Sequence, residues 1–294
     1  MKLLLGDNQF FGVNHSNLEK AMKTKELFNT EYKITNFINK SLDLGLDGFM
    51  INSNDLGFKV IEEFDFSAGR AECHYSIPYP HKYAGLINDY GMISLLSVVL
   101  RQLNFTDIFH LMKFVFTFNA SFLLPIIIRM EIPKALPKGS VVYLQNIVTD
   151  LIMGLKNGDK VLSSYITSIK SMGYKPGLIT LNVEHLYNLL GRKHDSDELH
   201  LCFNINNSGF NVFPSISRVE SIIKKAKKTT KWKLMAMSIF SSGSQGISIE
   251  ESINFIKLKE LDYVVFGSSN LKNIESNKRL FGSRDNSREN VAKG

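Results

Sequence analysis

The side chains of this chain that could do acid–base chemistry lie within or shortly after short apolar runs. Asp7 comes directly after the run KLLLG, and His74 lies within the run AECHYSI. Partial burial shifts a carboxyl or an imidazole toward its neutral form, which makes such a group useful for proton transfer near neutral pH. We therefore take four residues as candidate catalytic acids or bases: Asp7, His15, His74 and Glu184.

Amide side chains form a second set, at the ends of five of the eight apolar runs given below. An amide both donates and accepts hydrogen bonds, so a ring of amides suits a ligand rich in hydroxyls or a heterocycle. Asparagine is also a favoured turn residue, and for any single member the turn role is the stronger interpretation. The candidate substrate-binding residues are Asn8, Asn52, Asn146, Asn182 and Asn204.

Two segments late in the chain combine glycine with serine and lead into predicted helices: FSSGSQG (240–246) and FGSSN (266–270). Glycine allows close approach of the backbone, N–H groups at a helix start attract anions, and serine hydroxyls add donors. The same residue types are ordinary in turns and helix caps. We predict a phosphate site that includes Ser241, Ser242, Gly243, Gly267, Ser268 and Ser269.

Several other chemistries lack their sequence motifs. The four acid–base candidates could in principle converge on a metal, but HxH, HExxH and CxxC are all missing, and we predict no metal site. Neither a GxSxG elbow nor a P-loop is present. A lysine that forms a Schiff base would be expected on a strand inside the barrel. Lys82 lies in a loop beyond strand 3, and Lys233 lies at the amino end of strand 7, so neither is suitably placed. The lysine-rich stretch 224–233 is interpreted as a solvated helix face, so nucleic acid is not an expected partner.

The apolar runs alternate with helical or mixed segments. Eight strands alternating with helices in 294 residues predict a (β/α)8 barrel, with its working residues at the carboxyl ends of the strands. The alternative is an open doubly wound sheet. Such a sheet is expected to carry a glycine-rich fingerprint after an early strand, and none is present. The runs are 2–11, 47–55, 71–77, 140–146, 177–182, 199–206, 232–238 and 262–269.

One barrel domain is expected over 1–282, with a mostly helical insertion at about 88–138 between strands 3 and 4. Within the insertion, 111–128 approaches the length of a membrane span but is interrupted by polar residues and proline. A buried lid or a dimer-forming helix pair is therefore favoured over membrane contact. The polar tail 283–294 is expected to be disordered.

Composition excludes a disordered tail protein and a small peptide scaffold, because 44% of the residues are hydrophobic. Two cysteines, Cys73 and Cys202, cannot supply a disulfide framework, and no signal peptide is visible, so a reducing cytoplasm is the expected location. The net charge of +7 suggests anionic partners without naming one.

The segment GSSNLKNIESN (267–277), directly after a VVF strand, resembles the part of aldo-keto reductases that holds the phosphate and adenine end of a nicotinamide dinucleotide. The preceding AMSIFSSG and the helix ISIEESINFI are also similar to that family, so the match covers roughly 235–280. The resemblance implies that Gly267, Ser268, Ser269 and Asn277 contact the nucleotide. NADP is then a candidate cofactor.

The catalytic residues of that family are not matched. Its members use an Asp after strand 2, a Tyr a few residues on, a Lys after strand 3 and a His at the end of strand 4. The corresponding positions here hold Asn52, no tyrosine, Lys82 as a loose substitute, and Gln145 with Asn146. A reductase of this kind would need another proton donor, such as Tyr75 or His74.

Three functions remain open, in order of preference. The first is a barrel enzyme that grips a phosphate-bearing small molecule, either a nucleotide cofactor or a sugar phosphate, with loops 7 and 8. The amides would then bind the reacting part of the ligand, and Asp7 or Glu184 would act on it as a general acid or base. The second is a nicotinamide-dependent reductase with a rearranged proton donor. The third is a non-catalytic barrel whose apolar insertion binds a partner or a membrane surface.

Overall fold

A computed structural model of the chain describes residues 1–12, 18–78, 107–109, 111–113, 124–241 and 246–283. Within these residues, eight parallel strands form a closed barrel in sequential order. Strand β8 closes the ring by pairing with β1, with Leu5 opposite Phe266. The predicted (β/α)8 fold is confirmed, and the open doubly wound alternative is wrong.

The strands are short and fall inside the predicted apolar runs. Their end residues set which positions meet at each end of the barrel, because all of them run in the same direction. The strands are β1 Lys2–Leu5, β2 Gly48–Asn52, β3 Glu72–Ile77, β4 Val141–Leu144, β5 Lys175–Thr180, β6 His200–Asn204, β7 Lys233–Met237 and β8 Tyr263–Phe266.

Helices follow the strands and cover the barrel. Several begin at polar caps; Ser248, for example, accepts from the Glu251 N–H and forms a capping box with the Glu251 side chain. The helices of the described residues are α1 Leu18–Leu27, α2 Glu31–Asp43, α3 Asp55–Glu63, α4 Leu124–Glu131, α5 Asn146–Met153, α6 Gly158–Ser171, α7 Val183–Leu190, α8 Ile216–Thr229, α9 Ile249–Lys257 and α10 Leu271–Gly282.

The core has two parts, because successive side chains of a strand point to opposite faces. The larger part lies between the strands and the helices. The smaller part fills the barrel interior and includes Leu4, Tyr143, Met235 and Val265. Gly177 on β5 makes room inside the barrel, since a Cβ there would lie 2.4 Å from the Tyr143 ring. Polar side chains above and below this apolar layer therefore face the two ends of the barrel.

The expected insertion at about 88–138 falls largely outside the described residues, as does the tail from 284. Its described parts include α4 and the helical residues 107–109 and 111–113. The buried Asp107 accepts a hydrogen bond from Arg129 of α4. Among the described helices, none has the length and apolar character needed to cross a membrane. The domain boundaries and the role of the insertion stay predictions.

Candidate functional site

Asp7 lies at the carboxyl end of the barrel, which we call the mouth, and its carboxyl is buried with 6% exposure. The Asn52 backbone N–H donates to Asp7 Oδ2 over 2.7 Å. The Asn52 side-chain amide donates to Oδ1 at 3.0 Å and to Oδ2 at 2.8 Å. Burial raises the pKa of Asp7 to about 7, although the hydrogen bonds from Asn52 oppose this rise. Asp7 is thus able to hold or release a proton near neutral pH.

The contacts of Asp7 continue across the mouth through three strands. Ser76 Oγ donates to Asn52 Oδ1, and Gln145 Nε2 donates both to Asn52 Oδ1 and, over 2.9 Å, to Ser76 Oγ. Register explains the cluster, because Asn52 of β2 pairs directly with Ser76 of β3. Gln145 caps α5 without a side-chain capping bond, so its amide is available to this cluster. We call Asp7, Asn52, Ser76 and Gln145 the Asp7 network.

The loop after β8 lies beside Asp7. The Gly6 N–H donates to Phe266 O over 2.9 Å, and a Cβ at Gly267 would lie 2.5 Å from Gln9 Oε1, so the loops after β1 and β8 are in contact. Ser268 Oγ donates to Asn270 O over 3.1 Å. In the described part of the chain, the backbone N–H groups of Ser268 and Ser269 have no protein partner. Unpaired N–H groups at the start of a helix suit an anion.

The loop after β7 is described only in part. Ser241 is buried, its backbone has a φ of 50°, and its hydroxyl accepts from Ser208 Oγ over 2.7 Å. Its N–H donates to Ser238 O over 3.0 Å. Both groups of Ser241 are therefore used within the protein. Ser242 and Gly243 lie outside the described residues, so their part in a phosphate site stays a prediction.

His74 does not reach the mouth, which corrects our expectation. It lies inside the barrel, fully buried, with Nδ1 3.1 Å from the Tyr143 hydroxyl and Nε2 3.7 Å from a Glu72 carboxylate oxygen at the amino end of β3. The His200 ring is 5.9 Å away and the Tyr263 ring 5.2 Å. We call His74, Tyr143, His200 and Tyr263 the histidine floor. The physical reason is depth: His74 and Ser76 face the same way on β3, but only Ser76 lies near its carboxyl end.

Burial keeps the histidine floor neutral. Desolvation lowers the pKa of His200 to about 3, and the neighbouring His74 adds to that effect while Glu198 opposes it. Desolvation also lowers the pKa of His74, against the influence of Glu72. Imidazoles of this kind are poor proton acceptors at neutral pH, so the structure does not support His74 as the acid or base of the mouth.

Two further proton-transfer candidates are engaged elsewhere. Glu184, in the first turn of α7, accepts two hydrogen bonds from Arg218 of α8, one of them from Nε over 3.0 Å. Tyr75 is fully buried in the layer between barrel and helices, because it points to the opposite face from His74 and Ser76. Neither is presented to the mouth. His15 lies outside the described residues, so nothing tests it.

The other candidate amides have separate roles. Asn8 is exposed, and Asn146 is half-buried at the start of α5. Asn182 caps α7 by accepting from the His185 N–H over 3.0 Å, which is the turn role. Asn204 is buried and donates through Nδ2 to Asn211 O over 2.9 Å. Of the predicted set, the structure brings together only Asp7 and Asn52.

The positions of Ser76 and Asn277 differ from what sequence reasoning expected. Ser76 was not among the candidates, and the period-two alternation of β3 with His74 is the signal that could have found it. Asn277, which the family resemblance placed against a nucleotide, is 4% exposed on the packed face of α10. Among the described residues, no group of three or more His, Cys, Asp or Glu side chains could hold a metal ion.

No protein-family model matches the chain, and no curated protein matches it. Among solved structures, the fold is similar to that of the aldo-keto reductase AKR11C1 from Bacillus halodurans in its holo form, with a TM-score of 0.51, 8% identity, and coverage of 88% of this chain and 84% of that chain. It is also similar to apo Gox0644, with a TM-score of 0.50, 10% identity, and coverage of 97% and 85%.

A third similar structure is a mutant of Gox0644 in complex with NADPH, with a TM-score of 0.47, 13% identity, and coverage of 99% of this chain and 87% of that chain. Identities this low show the fold alone. The chain thus has a (β/α)8 barrel fold similar to that of the aldo-keto reductase AKR11C1. The resemblance that we drew from residues 235–280 is confirmed at the level of fold.

Proposed function

We propose that this chain is a nicotinamide-dependent reductase in which the loop after β8 binds a phosphate of the dinucleotide and Asp7 supplies the proton. One juxtaposition carries the proposal: the unpaired N–H groups of Ser268 and Ser269 follow β8, and Asp7 follows β1, the neighbouring strand. The likeness of fold to an aldo-keto reductase supports the nicotinamide dinucleotide over a sugar phosphate as the ligand.

The residues present fit the phosphate part of such a cofactor. Two adjacent N–H groups, at the two residues before the Asn270 cap of α10, can donate to phosphate oxygens. The buried side chain of Asn277 leaves the adenine end without the contact that the family resemblance implied. A bound nicotinamide dinucleotide in its reduced form would supply hydride.

Asp7 takes the part that the family gives to tyrosine. In its protonated form it donates a proton to the substrate oxygen at the mouth, and the resulting carboxylate is held by the Asn52 backbone and side-chain amides. A pKa of about 7 lets the group be reprotonated near neutral pH. Asn52, Ser76 and Gln145 position this carboxyl.

NADPH binding tests the phosphate part of the proposal. NADPH fluorescence is titrated with the wild type and with Ser269→Asp, which sets a negative charge beside the unpaired N–H groups. We expect saturable binding at micromolar cofactor and a loss of tenfold or more in the variant. Ser171→Asp is the matched control, because Ser171 is exposed at the end of α6, just before β5 and so on the opposite side of the barrel; its affinity should equal that of wild type.

Two outcomes would count against this proposal. The first is no NADPH response together with thermal stabilisation by sugar phosphates, which would favour a barrel enzyme acting on a phosphorylated substrate. The second is an equal loss of NADPH affinity in Ser269→Asp and Ser171→Asp, which would show that NADPH does not bind at the loop after β8.

A further inference from the structure

We infer that Gln145 and Asn204 present hydrogen-bond acceptors at the mouth and select a substrate that bears hydroxyl groups. This inference rests on the proposed reductase function and adds a specificity subsite to it. It follows from the direction of the hydrogen bonds that these amides make. That direction determines whether the oxygen or the nitrogen of each amide remains available to a ligand.

Asp7 sets the direction of the network. An ionised carboxyl only accepts hydrogen bonds, and both oxygens of Asp7 face the Asn52 side-chain nitrogen, at 3.0 and 2.8 Å. Asn52 therefore turns its NH₂ group toward Asp7 and its carbonyl oxygen away. A flipped Asn52 amide would set its oxygen against both oxygens of the Asp7 carboxylate.

Gln145 continues the same direction. Asn52 Oδ1 accepts from Ser76 Oγ and from Gln145 Nε2, and Gln145 Nε2 also reaches Ser76 Oγ over 2.9 Å. A flip of Gln145 would set its oxygen against Asn52 Oδ1, oxygen against oxygen. Gln145 is half-buried and directly follows β4, and its Oε1 has no partner among the described residues. An acceptor is thus left over at the mouth.

Asn204 supplies a second acceptor at the same end of the barrel. It is the last residue of β6, in the inward-facing alternation with His200 and Cys202, and it is 4% exposed. Its Nδ2 donates to a backbone carbonyl, Asn211 O, which excludes the flipped amide because a carbonyl cannot donate. Within the described chain, Asn204 Oδ1 has no hydrogen-bond partner.

The two leftover oxygens, Gln145 Oε1 and Asn204 Oδ1, favour a ligand that donates hydrogen bonds to them. A hydroxyl group on the carbon next to the reacting carbonyl pairs with such an oxygen, whereas a methyl group of the same size leaves it unpaired, at a free-energy cost. The family position at the end of strand 4 holds histidine, so the acceptor of Gln145 is a property of this chain. The substrate class that fits is a carbonyl compound hydroxylated beside the carbonyl carbon.

The test uses ketone pairs of equal size. Hydroxyacetone is compared with butanone, and dihydroxyacetone with 3-pentanone, by kcat/KM for NADPH oxidation. We expect a preference of at least tenfold for each hydroxylated member. In Gln145→Met, which keeps the length of the side chain and removes the amide, we expect this preference to fall at least fivefold while NADPH affinity stays as in wild type.

A cofactor-free arm keeps the two proposals separable. Saturation-transfer NMR on the same ketones measures whether the protein alone prefers the hydroxylated members and whether Gln145→Met loses that preference. Equal reduction of both members of each pair, with NADPH bound, overturns the acceptor subsite and leaves the reductase standing. No NADPH binding, with the NMR preference intact, overturns the reductase and leaves the subsite. Equal NMR signals for both members overturn the subsite.

Discussion

The two ends of the barrel bury ionisable groups in opposite ways. At the mouth, the carboxyl of Asp7 accepts three hydrogen bonds from Asn52, and the network extends to Ser76 and Gln145. At the histidine floor, three ring nitrogens have no hydrogen-bond partner in the described chain: His74 Nε2, His200 Nδ1 and His200 Nε2.

The contrast shows what makes a buried group usable. The hydrogen bonds from Asn52 favour the charged form of Asp7, so its pKa rises only to about 7 in spite of burial. The Glu198 carboxylate, 3.5 Å from His200 Nε2, favours the charged form of His200, but desolvation and the neighbouring His74 outweigh it, and the pKa falls to about 3. A buried group whose charged form accepts several close hydrogen bonds can exchange a proton near neutral pH, whereas one whose desolvation is not offset stays neutral. The mouth is therefore suited to proton transfer, and the floor to structural packing.

The largest effect is expected from removing the mouth's acid. Asp7→Asn keeps the shape of the side chain but cannot supply a proton, so kcat/KM for NADPH-dependent reduction of dihydroxyacetone should fall about 10²–10⁴-fold. His200→Phe, a floor variant, should keep the wild-type rate. Steady-state kinetics of both variants measure this difference. Retention of a tenth or more of the activity in Asp7→Asn would remove Asp7 from the reaction.

The two ends should also respond to acid with opposite signs. The unfolded chain protonates His200 near pH 6.5, but the folded protein does so only near 3, so this histidine makes stability fall as pH drops from 7. Asp7 has a folded pKa of about 7 against 3.8 for the free group, so the folded state gains its proton first and stability rises as pH drops from 7 toward 4.

Urea unfolding at pH 7 and pH 5 separates these contributions. His200→Phe should lose about 2 kcal/mol less stability than wild type between the two pH values, which is the linkage expected of one histidine. Asp7→Asn should instead lose more than wild type. Glu72, whose pKa is held at about 2 by its contacts with His74 and Lys2, titrates mostly below this range. Equal pH dependence in all three proteins would contradict the assignment.

The barrel itself follows from the order of apolar runs, because eight strands separated by helices have few other ways to bury both faces. Two members of the Asp7 network, Asp7 and Asn52, are candidates on the same ground, since each ends or follows a strand. The motif GSSN points to Ser268 and Ser269, whose N–H groups have no partner among the described residues, and their role at a phosphate stays a prediction. Local patterns thus predict which residues lie at strand ends.

Depth and long-range pairing are what local patterns miss. His74 and Ser76 are two residues apart on one face of β3, and only the pairing of Ser76 with Asn52 shows which of them is level with Asp7. Glu184 is engaged by Arg218, which lies on a different helix. Neither relation is encoded in the spacing around either residue, because both depend on how distant segments come together.

A smaller effect is expected from packing at the floor. In Gly177→Ala, the new Cβ would lie 2.4 Å from the Tyr143 ring, which is already held by its contact with His74. Urea unfolding should show a loss of about 1 kcal/mol or slightly more, the low part of the range for overpacking, because a methyl group is the smallest addition. Gly154→Ala is the control, since its nearest atom is 3.4 Å away; an equal loss in both variants would argue against a tightly packed floor.

The smallest effect is expected at the charged rim below the floor. Lys175 and Glu198 form an ion pair of 2.9 Å, but both side chains are about half exposed, and water and salt screen such pairs. Lys175→Met should therefore change the free energy of unfolding by less than about 1 kcal/mol, close to the effect of Lys227→Met on the exposed face of α8. A loss well above 2 kcal/mol in Lys175→Met alone would mean that the rim pair, rather than burial, sets the stability of the floor. That result would change the comparison, because charge pairing would then support the floor as the hydrogen bonds from Asn52 support Asp7 at the mouth.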